Sequence, residues 1–482
     1  VLALIYGLTT APLISRAYID LGDGNYLYTS SRMADGLMIY RDFLSPQPPL
    51  HLLTGSALIR LGRFLEAHCA LEDGPLMTVR VFSRVLHLLT MLCIWGLGRR
   101  ITGSRRGGIL AATLYLLLPL NFWWSLGYQS ELLEILWLYG ALSCFVRFRP
   151  APMAAAGVLM GLAVLTNMTA VPYAAANLVF LCVRHGWGLG NPRKGGWKLV
   201  GCYLLPFLLV TGAFIAYYEI RTGAYFLNVV SNQVGSYPQG GFWGYAVGKV
   251  LSQGGKILVN EGGFILIGLF GLMAYNRRER GLEREYLVWY ALALLLSVLY
   301  VTKGGTMDYI FTLGEPVLAL FGASFLMRFF GSGFFRKFRP TSLWHDTALF
   351  PQIAFGLLLL TVAFALPVRF CIETLKQRQF EQSEEGLDLV AHYIERYSKP
   401  GDTIVSDPYY AFITRRLLAE EYSELFLWTL KYSLEREAML LQKEEVPSPE
   451  MLAAKLLRGE GVLAGALVTP IPIEFRRGLA DR

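Results

Sequence analysis

LVGCYLLPFLLVTGAFIAYY, residues 199–218, runs for twenty positions without a single charged side chain. As a helix it spans about 30 Å, the thickness of a bilayer's hydrocarbon core. Comparable apolar runs recur at about 1–15, 77–98, 108–122, 131–146, 153–166, 170–183, 257–275, 286–301, 308–327 and 348–368, giving roughly eleven candidate spans. The whole chain of 482 residues is 54% hydrophobic and only 17% charged, whereas soluble domains carry roughly a quarter charged residues. The expected fold class is therefore mainly α, a polytopic helical membrane protein.

The net charge of +8 does not point to nucleic acid, because the basic residues sit in short clusters between apolar runs. Arg99, Arg100, Arg105 and Arg106 separate runs two and three, Arg147 and Arg149 runs four and five, and Arg184, Arg193, Lys194 and Lys198 runs six and seven. Arg277, Arg278, Arg280 and Arg284 follow run eight, and Arg336, Lys337 and Arg339 follow run ten. Every second loop is basic, which predicts a cytoplasmic N-terminus and an extracytoplasmic tail in a multi-pass cell-membrane protein. The chain begins at Val1, and residues 1–15 read as a retained first span rather than a cleaved signal. Six cysteines without CxxC spacing read as small apolar residues, not a zinc site or a disulfide framework.

Three regions then face outward. Residues 16–76 form a polar first loop with an amphipathic helix expected after Pro48-Pro49; residues 219–256 are rich in Gly, Tyr and Asn; the tail from about 371 to 482 turns toward Glu, Lys and Arg. In the tail, GLDLVAHYIERYSKPGD (386–402) reads as an amphipathic helix ending at a Pro-Gly turn, TIVSD (403–407) as a strand, and GVLAGALVTP (461–470) as another. The expected division is a transmembrane catalytic domain, 1–370, and a small soluble α/β domain, 371–482. Charges beside hydrocarbon are costly, so a first loop holding Asp20, Asp23, Asp35, Asp42, Arg32 and Arg41 is a functional-site candidate.

GDGNYLYTSSRMADGLMIYRDFLSPQPPL (22–50) resembles the corresponding loop of the GT-C glycosyltransferases of the protein O-mannosyltransferase and lipid A aminoarabinose transferase type. The resemblance lies in YLYTSSRMADG with Arg32 and Gly36, in Tyr40-Arg41-Asp42-Phe43, and in Pro48-Pro49-Leu50. Where that family shows an Asp-Glu pair, this chain has Gly22-Asp23-Gly24, with Asp20 three residues earlier. The resemblance implies transfer of a sugar from a polyprenyl-phosphate donor to a glycan, lipid or protein acceptor on the outer face, with inversion and without a cofactor.

That chemistry needs a carboxylate to take the acceptor's proton and cations to hold the departing phosphate. Asp23 leads for the base, with Asp42 and Asp20 behind it; solvated loop acids or helix caps are the bland alternative. Arg41 and Lys303, then Arg32, lead for the phosphate, Lys303 because TKGGTMDY (302–309) lets a headgroup come close. Glu131, Tyr26 and Asp308 are candidates for lining the acceptor cavity, although Glu131 and Glu134, one turn apart, also suit helix–helix hydrogen bonding. Glu315 suits pairing within the bundle as well as a pathway role, and His87 reads as a core histidine. No metal is expected. The rivals are a transporter or lipid flippase, disfavoured by the absence of an internal repeat, and a non-catalytic scaffold keeping the fold.

Overall fold

The computed structural model describes residues 2–11, 21–43, 45–69, 71–186, 196–231, 242–273, 282–301, 308–331, 384–406, 408–418 and 462–463. The apolar runs become helices: α1 (Leu2–Thr10), α4 (Gly74–Thr102), α5 (Arg105–Leu117), α7 (Ser130–Phe145), α8 (Pro150–Thr166), α9 (Val171–Leu181), α10 (Gly196–Thr222), α11 (Phe242–Met273), α12 (Leu282–Val301) and α13 (Glu315–Gly331). The helix α2 is Leu21–Ala34, α3 is Pro49–Cys69 and α6 is Pro119–Trp124. The run at 348–368 lies outside the described residues.

α4 and α10 are each long and apolar enough to cross a bilayer. The outer face of the bundle is strongly apolar: Leu205, Leu208, Leu209, Leu251, Leu258 and Leu295 are all more than half exposed. Such a surface suits lipid, not water.

Small residues let the helices close on one another, as membrane packing requires. A Cβ on Gly98 of α4 would lie 2.6 Å from Ala111 of α5, and one on Gly157 of α8 would lie 2.1 Å from the Tyr203 carbonyl of α10. Buried polar groups tie further helices together. Glu261 of α11 accepts from the Leu120 amide at the start of α6 at 2.8 Å, and Asn121 donates to Glu315. The bundle reading of Glu315 thus has a partner in the fold.

Three departures from the sequence reading have tertiary causes. Residues 21–34, expected as loop, are helical despite Gly22 and Gly24, because α2 is buried against α3 and against a helix of the tail. Run three breaks at Leu118–Pro119, where proline has no amide to continue α5. α11 begins at Phe242, well inside the region expected as an outer loop.

In the tail, α14 (Glu384–Tyr397), β1 (Thr403–Val405), α15 (Pro408–Ile413), β2 (Leu417–Leu418) and β3 (Val462–Leu463) are described. Their three strands form a parallel sheet in the order β2-β1-β3, with Ile404 opposite Leu418 and Val462. The helix at the head of the tail and the strands at 403–405 and 462–463 fall where their patterns place them.

Gly157→Ala is expected to lower the thermal midpoint in detergent, since its Cβ meets backbone that cannot step aside; overpacking costs about 1–3 kcal/mol. Gly212→Ala on α10, with nothing within 4 Å of its Cβ, should be neutral or stabilising. Equal midpoints for the two variants would contradict this packing.

Candidate active site

The candidate site is built on the first turn of α2. Asp23 is fully buried. Its Oδ2 accepts from Arg80 Nη2 of α4 at 2.8 Å, and its Oδ1 accepts from the Tyr128 amide at 2.6 Å. Arg80 is likewise fully buried, and Arg84, one turn on, donates to the carbonyls of Arg80 and Leu126. A carboxylate held at both oxygens keeps a fixed plane.

Around this pair lies an aromatic wall. His51 of α3 stacks on Tyr128, ring centroids 4.0 Å apart, and meets the edge of Tyr26 at 4.8 Å. Burial pushes the Tyr128 phenol well above its ordinary value, so it stays protonated and donates to the His51 carbonyl at 2.6 Å. Burial also lowers the His51 ring to about 3, and among the described residues neither of its nitrogens has a hydrogen-bond partner. α2 and α3 approach closely because Gly55 has no side chain: a Cβ there would sit 2.3 Å from Ser30 Oγ.

The other sequence candidates divide. Arg32 pairs with Asp35 at 3.2 Å, and Asp35 also receives Arg63 of α3 at 2.7 Å, so this cluster fastens α2 to α3. Gly36 ends α2 with φ 103°, a conformation side chains resist. In the Tyr40-Arg41-Asp42-Phe43 motif, Asp42 turns into its own loop, accepting from the Met38 amide at 2.7 Å and from both ends of the Arg41 fork at 2.8 Å. That fork holds the Asp42 carboxyl below its ordinary range and raises Arg41. Tyr40 takes φ 67°, a strained position for a non-glycine residue. Its ring sits edge-on to Tyr218 and Tyr225 at 5.5 Å, and Asn228 accepts from the Ser45 amide, so the segment 40–45 packs on residues 218–228.

Tyr26 and Glu131 are brought together: Tyr26 Oη reaches Ser130 Oγ at 3.5 Å, and Asn167 donates to both Ser130 Oγ and Glu131 at 3.2 and 3.3 Å. Glu134 accepts from Thr169 instead, a helix-to-helix bond. His87 lies in the core against Tyr115. Asp20 and Lys303 lie outside the described residues, as does the side chain of Asp308. Among the described residues no three His, Cys, Asp or Glu come together as a metal site. Arg80, Arg84, His51 and Tyr128 were not legible as site residues; the only signal was two arginines inside an apolar run, which a bilayer tolerates only at a price.

A fold of this kind is found in known glycosyltransferases. ArnT from Cupriavidus metallidurans, solved bound to undecaprenyl phosphate, matches with a TM-score of 0.61 at 15% identity, over 91% of this chain and 87% of that one. The apo oligosaccharyltransferase of Archaeoglobus fulgidus matches at 0.52 and 14%, over 83% of this chain and 60% of that one. The same archaeal enzyme, AglB, solved with an inhibitory peptide and a dolichol-phosphate, matches at 0.51 and 14%, over 86% and 63%. No curated protein matches by sequence. The chain shares its fold with these proteins. Residues 64–211 match the family model described as dolichyl-phosphate-mannose-protein mannosyltransferase.

Two outcomes follow from the buried groups. Arg80→Met strands Asp23 and should cost about 3–5 kcal/mol, with much of it recovered in the Asp23→Leu, Arg80→Met double variant; equal midpoints for wild type and Arg80→Met would contradict the pair. For His51 the folded value of about 3 lies below its ordinary 6.5, so the unfolded chain takes up the proton first. Its contribution is complete above about pH 6.5 and declines as pH falls toward 3. Melting curves of His51→Phe should show a weaker loss of stability across that window than wild type.

Proposed function

We propose that this chain transfers a sugar from a polyprenyl-phosphate donor to an acceptor hydroxyl on the outer face of the membrane, by direct displacement with inversion. The observation that carries this reading is the Asp23 carboxylate, fixed from both sides by Arg80 and the Tyr128 amide. A base must be aimed before it is useful, and a carboxylate held by two bonds is aimed. Asp23 takes the acceptor proton as its oxygen attacks the anomeric carbon, and the polyprenyl phosphate departs with the electron pair of the broken bond.

The leaving phosphate gains negative charge that cations must meet. Arg41 suits this: its guanidinium is exposed, and the planar fork now spent on Asp42 matches a phosphate equally well. Lys303 and Arg32 stand behind it, and Arg80 and Arg84 add positive charge on the Asp23 side. Tyr26, Glu131 and Asp308 would line the acceptor's path, and Asp42 and Asp20 remain secondary acids. Because Asp23 is fully buried, the residues over it must part as substrates come in. The aliphatic lipid, lying along the apolar face of the bundle, supplies binding energy that orients the reacting carbon.

The test is transfer of [14C]mannose from dolichyl phosphate and from undecaprenyl phosphate by the full chain in membranes. Wild type should move label to an acceptor or slowly to water, and Asp23→Asn should fall by about 10²–10⁴-fold, the range for loss of a general base. Normal turnover by a folded Asp23→Asn sinks the base; no label moved from either donor sinks the donor reading.

A further inference from the structure

We propose that Tyr409, contributed by the tail, is a positioning residue for the Asp23–Arg80 pair: its ring face holds the Arg80 guanidinium in the plane that orients the carboxylate. The inference rests on the reading of Asp23 as the base.

Arg80 Cζ lies 6.0 Å from the centroid of the Tyr409 ring, while Arg80 Nη2 donates to Asp23 at 2.8 Å. A cation over an aromatic face is attracted by the ring quadrupole, most strongly where water is excluded. Tyr409 and Arg80 are both fully buried. The guanidinium carbon thus lies over the ring while Nη2 meets the acid. An aliphatic side chain of similar size would fill the space without favouring that orientation.

Tyr409 is itself held firmly. It lies on α15, whose residues Tyr409, Tyr410 and Ala411 are all buried. Tyr409 packs in one cluster with Tyr26, Leu27 and Met33 of α2, Leu52 and Ile59 of α3, and Tyr128. Behind α15, Arg416 donates to Ser398 Oγ at 2.9 Å and to the Ser398 carbonyl at 2.6 Å, joining it to the end of α14. The tail also grips α2 directly: the Leu418 amide donates to Tyr28 Oη at 2.8 Å, and Arg415 pairs with Glu66 of α3. Tyr28 is five residues beyond Asp23 on the same helix. One unit of the tail therefore contacts both the helix that carries Asp23, through Tyr28, and Arg80, through Tyr409.

The test compares Tyr409→Leu, Tyr409→Phe and Arg80→Lys in the full chain in lipid nanodiscs. Hydrogen exchange at the Tyr128 amide, which donates to Asp23, reads the position of the carboxylate without any substrate. It should quicken in Tyr409→Leu by about tenfold, the scale of one desolvated cation–π contact, and stay near wild type in Tyr409→Phe, which keeps the ring. Transfer from dolichyl phosphate [14C]mannose or its undecaprenyl counterpart should lose kcat by a similar factor in Tyr409→Leu, with KM for the donor unchanged and Phe restoring it. Adding Tyr409→Leu to Arg80→Lys should have little further effect, because the two act as one unit.

Unchanged exchange at Tyr128 in a folded Tyr409→Leu overturns the proposal. So does a Tyr409→Phe variant as impaired as Leu, or full additivity with Arg80→Lys. Asp23→Asn is run beside them: if it transfers normally, the reading of the base fails, whereas an inactive Asp23→Asn with a fully active Tyr409→Leu refutes the positioning role alone.

Discussion

The ion pair between Asp23 and Arg80 is the constraint around which α2, α4 and the segment before α7 are arranged. Both charges are fully buried, and burying either alone would cost several kcal/mol. A buried pair adds little net stability compared with apolar packing, but it penalises any arrangement that separates the two. The pair therefore ties the first turn of α2 to α4, and the Tyr128 amide, bonded to the same carboxylate, fixes the segment leading into α7. The tail joins the same point through Tyr409.

Elsewhere the bundle follows the rules of a lipid-surrounded protein. Its exterior is leucine-rich, so apolar residues face both inward and outward and hydrophobicity alone does not choose partners. Choice falls to shape and to polar bonds. Gly98 and Gly157 set the close approach of two helix pairs. Glu134 with Thr169 and Asn121 with Glu315 join helices that apolar packing would leave free to slide. These acids thus hold the bundle, while Asp23 lies at the aromatic site.

Around residues 32–42, local pairings engage side chains that the sequence offers as site residues. Asp42 looked like a second acid, yet it folds its own loop and binds the neighbouring Arg41. Arg32, read for phosphate, reaches Asp35 across one turn of α2. Both are local pairings between residues close in sequence, and no pattern of residue types distinguishes such a pairing from a ligand site.

Hydrophobic period and proline placement determined, by themselves, the helical class, the positions of most helices, the start of α3 at Pro49 and, in the tail, the helix α14 and the strands β1 and β3. These are local properties: an apolar run long enough to span a bilayer has no alternative to helix, because its amides find no other partners there. Only the tertiary structure decided that α2 is a helix, that Arg80 answers Asp23, and that His51, Tyr128 and Tyr409 enclose them. Those facts depend on burial and on contacts between segments up to several hundred residues apart, and burial is a property that no stretch of sequence carries alone.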